Sequence, residues 1–95
     1  MSKYISLISW TEKGISEYKE TVSRAKAAQQ AAAALGGSLE VHWTVGPYDL
    51  VAVSEFPDDD AATAFLLKLG ALGNIRTTTM RAFDQDDISR IIAKT

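Results

Sequence analysis

The chain has 95 residues, 46% of them hydrophobic and 23% charged, a composition that fits one globular domain and excludes a disordered chain. Ten Lys and Arg stand against twelve Asp and Glu, and the basic residues are scattered at Lys19, Arg24, Lys26, Lys68, Arg76, Arg81 and Arg90. A phosphate backbone or an anionic bilayer needs a concentrated basic face, so neither nucleic acid nor membrane is expected as a partner, and the absence of cysteine removes disulfides, thiol catalysis and thiolate metal sites.

The start, Met1-Ser2-Lys3-Tyr4-Ile5-Ser6, runs directly into a strand pattern with no signal-peptide core. No apolar run reaches the roughly 20 residues that span a bilayer, so a cytoplasmic protein is expected. Residues 4–10 are a short apolar run that reads as the first strand, broken by Thr11-Glu12-Lys13-Gly14. From 15 to 35, Ile15, Tyr18, Val22, Ala25, Ala28, Ala32 and Leu35 recur every three or four residues, which predicts a helix with a weak point near Thr21-Val22-Ser23. Its second half is mostly alanine, which favours helix and lets it sit close against a sheet. Gly36-Gly37 predicts its end, since a left-handed cap is cheap only for glycine.

Residues 38–45 and 48–56 are strand patterns separated by Gly46-Pro47, and so short a connection predicts an antiparallel hairpin. A glycine bulge at Gly46 would change which face Asp49 shares with its neighbours, so the register stays open. Asp58 is a predicted N-cap for a helix with the stripe Ala62, Phe65, Leu66, Leu69 and Leu72, stopped by Gly73-Asn74. Residues 75–83 read as the fourth strand and 84–94 as a terminal helix capped by Asp84, with Ile88, Ile91 and Ile92 along one edge.

The order strand–helix–strand–strand–helix–strand predicts an α+β, ferredoxin-like βαββαβ domain over residues 1–95: an antiparallel sheet, two helices on one face and a short C-terminal helix. The other face is uncovered, yet the strands are apolar on both sides, with Ile5 and Leu7 opposite Tyr4 and Ile8. Such a face predicts a partner, most simply a second copy packed sheet on sheet into a dimeric α+β barrel.

Three segments carry a resemblance: Trp10-Thr11-Glu12-Lys13-Gly14, Gly46-Pro47-Tyr48-Asp49-Leu50-Val51, and Leu72-Gly73-Asn74-Ile75-Arg76-Thr77-Thr78-Thr79. With Arg24, Gly36-Gly37, Trp43-Thr44 and Ala82-Phe83, the chain resembles the GYD-domain family over nearly its whole length. The resemblance implies the dimeric α+β barrel superfamily and adds an architecture rather than an activity.

The ligand-binding candidates are Trp10, His42, Trp43, Tyr48, Asp49, Arg76 and Thr78. Asp49 is costly in an apolar strand unless hydrogen-bonded; it is a base, a ligand anchor or, more commonly, an acceptor for backbone N–H groups of the Gly46-Pro47 turn. His42, the single histidine, suits proton transfer but cannot alone make a mononuclear zinc site, and a hydrogen-bonded strand histidine is the commoner case. Arg76 suits a carboxylate or phosphate, or an ion pair with Asp49 or Glu40. Trp10, Trp43 and Tyr48 can line a cavity, although strand aromatics are more often core, and Thr78 can offer a hydroxyl but is also a good strand former. Asp58-Asp59-Asp60 compensates a helix dipole rather than binding metal, and no motif calls for a metal or cofactor.

Three functions fit these residues: a small-molecule-binding or regulatory module acting as a homo-oligomer, which we favour; a cofactor-independent enzyme of monooxygenase or isomerase type on a small aromatic or carbonyl compound; and a structural oligomer subunit. A pocket holding His42, Asp49 and Arg76 together would favour the enzyme. Function is expected on the uncovered face.

Overall fold

The computed structural model describes all residues, Met1 to Thr95. Strand β1 is Ser2–Trp10, followed by a five-residue helix α1 (Glu12–Ser16), a single 3₁₀ turn (Tyr18–Glu20) and helix α2 (Thr21–Ala34). Strands β2 (Ser38–Trp43) and β3 (Leu50–Phe56), helix α3 (Asp59–Ala71), strand β4 (Ile75–Ala82) and helix α4 (Gln85–Ile92) complete the chain. The sheet order is β2-β3-β1-β4 with every neighbour antiparallel, so the ferredoxin-like arrangement holds.

The expected first helix starts earlier and is divided. Thr11 caps it: its hydroxyl accepts the Gly14 N–H at 3.1 Å, so the supposed breaker segment is the first turn of α1. The division falls at Glu17, and one nitrogen of the Arg24 guanidinium donates to the carbonyls of Gly14 and Glu17 there, at 3.1 and 3.2 Å. Those are the kind of carbonyls that a helix end leaves without partners. Gly36 ends α2 at φ 78°, as its position predicts. Asp58 and Asp84 are the N-caps of α3 and α4, the latter in a reciprocal capping box with Asp87.

The hairpin strands are shorter than their pattern, leaving 44–49 as a loop in which Pro47 has no N–H to offer a ladder. The loop is closed by Thr44 N–H to Asp49 O at 2.9 Å and Thr44 hydroxyl to Tyr48 O at 2.7 Å. Trp43 pairs with Leu50, which fixes the register.

Tyr4, Ser6 and Ile8 of β1 and Leu50, Ala52, Ser54 and Phe56 of β3 are buried under the helices. The core is polarised. At one end Tyr4, Phe56, Phe65, Ala32 and Ala62 close up, with the Phe56 and Phe65 rings 5.1 Å apart. At the other end Ile8, Leu50 and Ala52 form a smaller cluster flanked by Trp10, Val41 and Ile75. Only 11 of 95 residues are buried, because the uncovered face leaves Ile5, Leu7, Val51 and Val53 half-exposed and α4 buries nothing.

Candidate functional site

Alanine shapes a cavity under the helices. Along α2, Ala25, Ala28 and Ala31 present side chains too short to reach the second core cluster, and a cavity of about 300 Å³ lies between them, the sheet and α3. Its floor includes Ile8, Leu50 and Ala52, and Leu66 and Leu69 of α3 supply another wall. Most of the lining is hydrophobic, and the volume sits at the lower end of the roughly 300–1,000 Å³ typical of small-molecule sites. The cavity is therefore on the covered face of the sheet, opposite to where the sequence directs attention.

Its polar groups are few. Arg24 and Asn74 both line it, and each has a buried side-chain atom, Nη1 of Arg24 and Oδ1 of Asn74, with no hydrogen-bond partner in the protein. The Ser6 hydroxyl, also in the lining, is already paired with that of Thr79 at 2.8 Å. Gly14 brings the two unsatisfied residues to the same end. Its carbonyl takes Arg24, and its Cα lies so close to Asn74 that an added Cβ would stand 2.0 Å from the Asn74 carbonyl oxygen. Sequence reasoning did not single out either as a binding residue.

Of the expected site residues, Trp10 lines this cavity, and the Trp43 indole N–H donates at 2.9 Å to the hydroxyl of Thr21, a lining residue. Tyr48 is half-buried in the 44–49 loop. Asp49 is a structural acceptor, though not for its own turn: its Oδ2 takes the Trp10 backbone N–H at 2.9 Å, while the Asp49 N–H reaches Ile8 O at 2.8 Å.

His42, Arg76 and Thr78 alternate onto the uncovered face. The register runs His42–Val51–Leu7–Thr78 across the sheet, three strand steps or roughly 14 Å from edge to edge. His42 Nε2 lies 2.8 Å from Glu40 Oε1 on the exposed edge, and Arg76 makes no ion pair within the chain. His42, Asp49 and Arg76 are thus not brought together within one subunit. No group of three or more His and acidic side chains is placed to hold a metal ion, and no helix is long and apolar enough to cross a membrane.

The three segments behind the family resemblance meet at one end of the sheet. Asp49 holds Trp10; Thr11 donates its hydroxyl to Gly73 O at 2.6 Å and its N–H to Asn74 O at 3.1 Å; Lys13 Nζ donates to Leu72 O at 3.0 Å. The family model for the GYD domain matches residues 4–92. The chain belongs to the GYD-domain family. Among solved structures, this GYD domain is similar to the crystal structure of TTHA0845 from Thermus thermophilus, at 28% identity and a TM-score of 0.58, over 88% of this chain and 95% of that one. No curated protein matches it. The clasp formed by the three segments borders the Arg24–Asn74 end of the cavity, so the residues that carry the family likeness also frame this site.

Proposed function

We propose that this GYD domain is a cytoplasmic small-molecule-binding module, acting as a homodimer, with the ligand held between α2, α3 and the sheet. The cavity carries the reading: it is a half-open cleft between packed elements, largely apolar, and furnished at one end with polar groups that the protein itself does not satisfy. A structural subunit gains nothing from leaving such groups unpaired, because each costs free energy that a simple apolar filling would avoid. The separation of His42, Asp49 and Arg76 within one subunit favours binding over catalysis.

The test joins native mass spectrometry of freshly purified protein to a thermal-shift screen of small apolar compounds, using the wild type and Ala28→Phe, which fills the cavity. A ligand at ten times its Kd adds about 1.4 kcal/mol, or roughly 6–11 °C in midpoint for a domain of this size. Shifts in the wild type that vanish in Ala28→Phe support the reading. A bare protein that no compound stabilises, or shifts unchanged by Ala28→Phe, would sink it.

A further inference from the structure

Resting on that binding reading, we infer that the cavity takes an apolar monocarboxylate, its acid group held by Arg24 and Asn74 and its hydrocarbon body lying under the alanines of α2.

The inference starts from charge. Arg24 is permanently cationic, and the acids leave it alone: Glu55 pairs with Lys3, Asp87 with Arg90, and Glu40 is hydrogen-bonded to His42. Its Nη2 is occupied by two carbonyls, which satisfy donors without cancelling the charge. Nη1 remains buried and unpaired beside the cavity. The lining contains two cations, Arg24 and Lys68, and no acidic residue, in a chain whose net charge is −2. A cavity that concentrates positive charge within an acidic protein is electrostatically matched to an anion.

Geometry narrows the anion. Nη1 of Arg24 is unpaired in the protein, and the Asn74 side chain makes no hydrogen bond either, so its amide is free to turn an N–H toward an acceptor. One group from each of two residues at the same end can take one oxygen of a carboxylate, and the charge-assisted bond to Arg24 is of the stronger kind. The apolar lining beyond that end suits a single acid group on a hydrocarbon better than a phosphate, whose further charged oxygens would face it unpaired. Away from Arg24 and Asn74 the floor is Ile8, Leu50 and Ala52, which offers an aliphatic or single-ring body a dry surface.

The experiment is calorimetric titration of the intact protein with 4-phenylbutyrate and octanoate, beside 4-phenylbutyramide and octanamide, which keep the body and remove the charge. The acids are expected to bind at least about tenfold more tightly than their amides. Arg24→Met should lose that preference, and Asn74→Asp, which places a negative charge at the head group without removing any protein contact, should weaken the acids by a similar factor. Asn74→Asp keeps the inference testable if Arg24→Met fails to fold. Acids and amides binding alike, or acids binding equally to wild type and Asn74→Asp, would overturn the carboxylate assignment while leaving the binding module standing. If neither acids nor amides bind but other apolar compounds pass the cavity-filling test above, the carboxylate assignment fails alone; if nothing binds in either experiment, the binding reading fails with it.

Discussion

At the scale of single residues, Asp49 separates a structural carboxylate from a reactive one. It sits next to Leu50, Val51, Ala52 and Val53, and its Oδ2 accepts the Trp10 N–H at 2.9 Å, where β1 gives way to α1. Asp49→Ala removes the acceptor and leaves a partly buried backbone donor unpaired, at a cost of about 1–3 kcal/mol. Asp49→Asn keeps an oxygen in the same place and should cost less than half as much. Urea unfolding of the two variants checks this, and equal losses would show that the charge rather than the hydrogen bond matters. The sequence exposed Asp49 because a charge in an apolar strand stands out. Arg24 was hidden for the opposite reason, since a basic residue on a polar, alanine-rich helix resembles any solvent-facing one. Its spacing held the only signal: Arg24, Ala28 and Ala31 lie at i, i+4 and i+7, on one helix face.

Among elements, the order of strands and helices was legible because each stop has a local cause: Gly36, the caps Asp58 and Asp84, and the Gly73-Asn74 turn. The alanines of α2 were legible as helix but not as cavity. A small side chain allows either close approach or a gap, and only the packing of the neighbouring elements decides which. Ala32 takes the first course, fully buried against the aromatic core, Ala25 takes the second, and Ala28 lies between them, touching the core and lining the cavity. The closed end has its own fastening, the Tyr4 hydroxyl donating to the Asp59 carboxylate, which ties β1 to the first turn of α3. Burial pushes the Tyr4 phenol above its usual range, and the hydrogen bond and charge of Asp59 push it further the same way. The folded state thus holds this proton more tightly than the unfolded one. The resulting stabilisation is complete below pH ~10, the unfolded value, and is lost as pH rises through the higher folded value. Tyr4→Phe, which lacks the hydroxyl, should be less stable than wild type by about 1 kcal/mol at neutral pH. That difference should shrink above pH ~10. Urea midpoints from neutral pH to roughly pH 11.5, a span that brackets the tyrosine range, provide the check. A constant difference would refute the coupling.

As a whole molecule, the domain is a thin slab of 48 × 30 × 17 Å with one face left unfinished. Its radius of gyration is 14.3 Å, against about 12–13 Å for a compact domain of this length. The uncovered sheet face carries Ile5, Leu7, Val51 and Val53, with Met80 45% exposed, and α4 leaves Ile88 and Ile92 exposed as well. A stable interface takes roughly 800 Å² from each partner, about one-eighth of the 6272 Å² this chain exposes. The two apolar surfaces together are the natural source of that area, and a second copy is the partner most simply matched to them, since an isologous contact lets one patch serve both sides. Val53 lies on the uncovered face, between Ile5 and Glu40 in register, so Val53→Lys would bury an ammonium inside a sheet-on-sheet contact, with only the edge carboxylate of Glu40 beside it, while leaving the covered core untouched. Light scattering at micromolar concentration should give twice the mass of one chain for the wild type and the mass of a single chain for Val53→Lys. A monomeric wild type would end the dimer reading. A Val53→Lys protein that stayed dimeric would move the interface off the sheet, to the exposed isoleucines of α4.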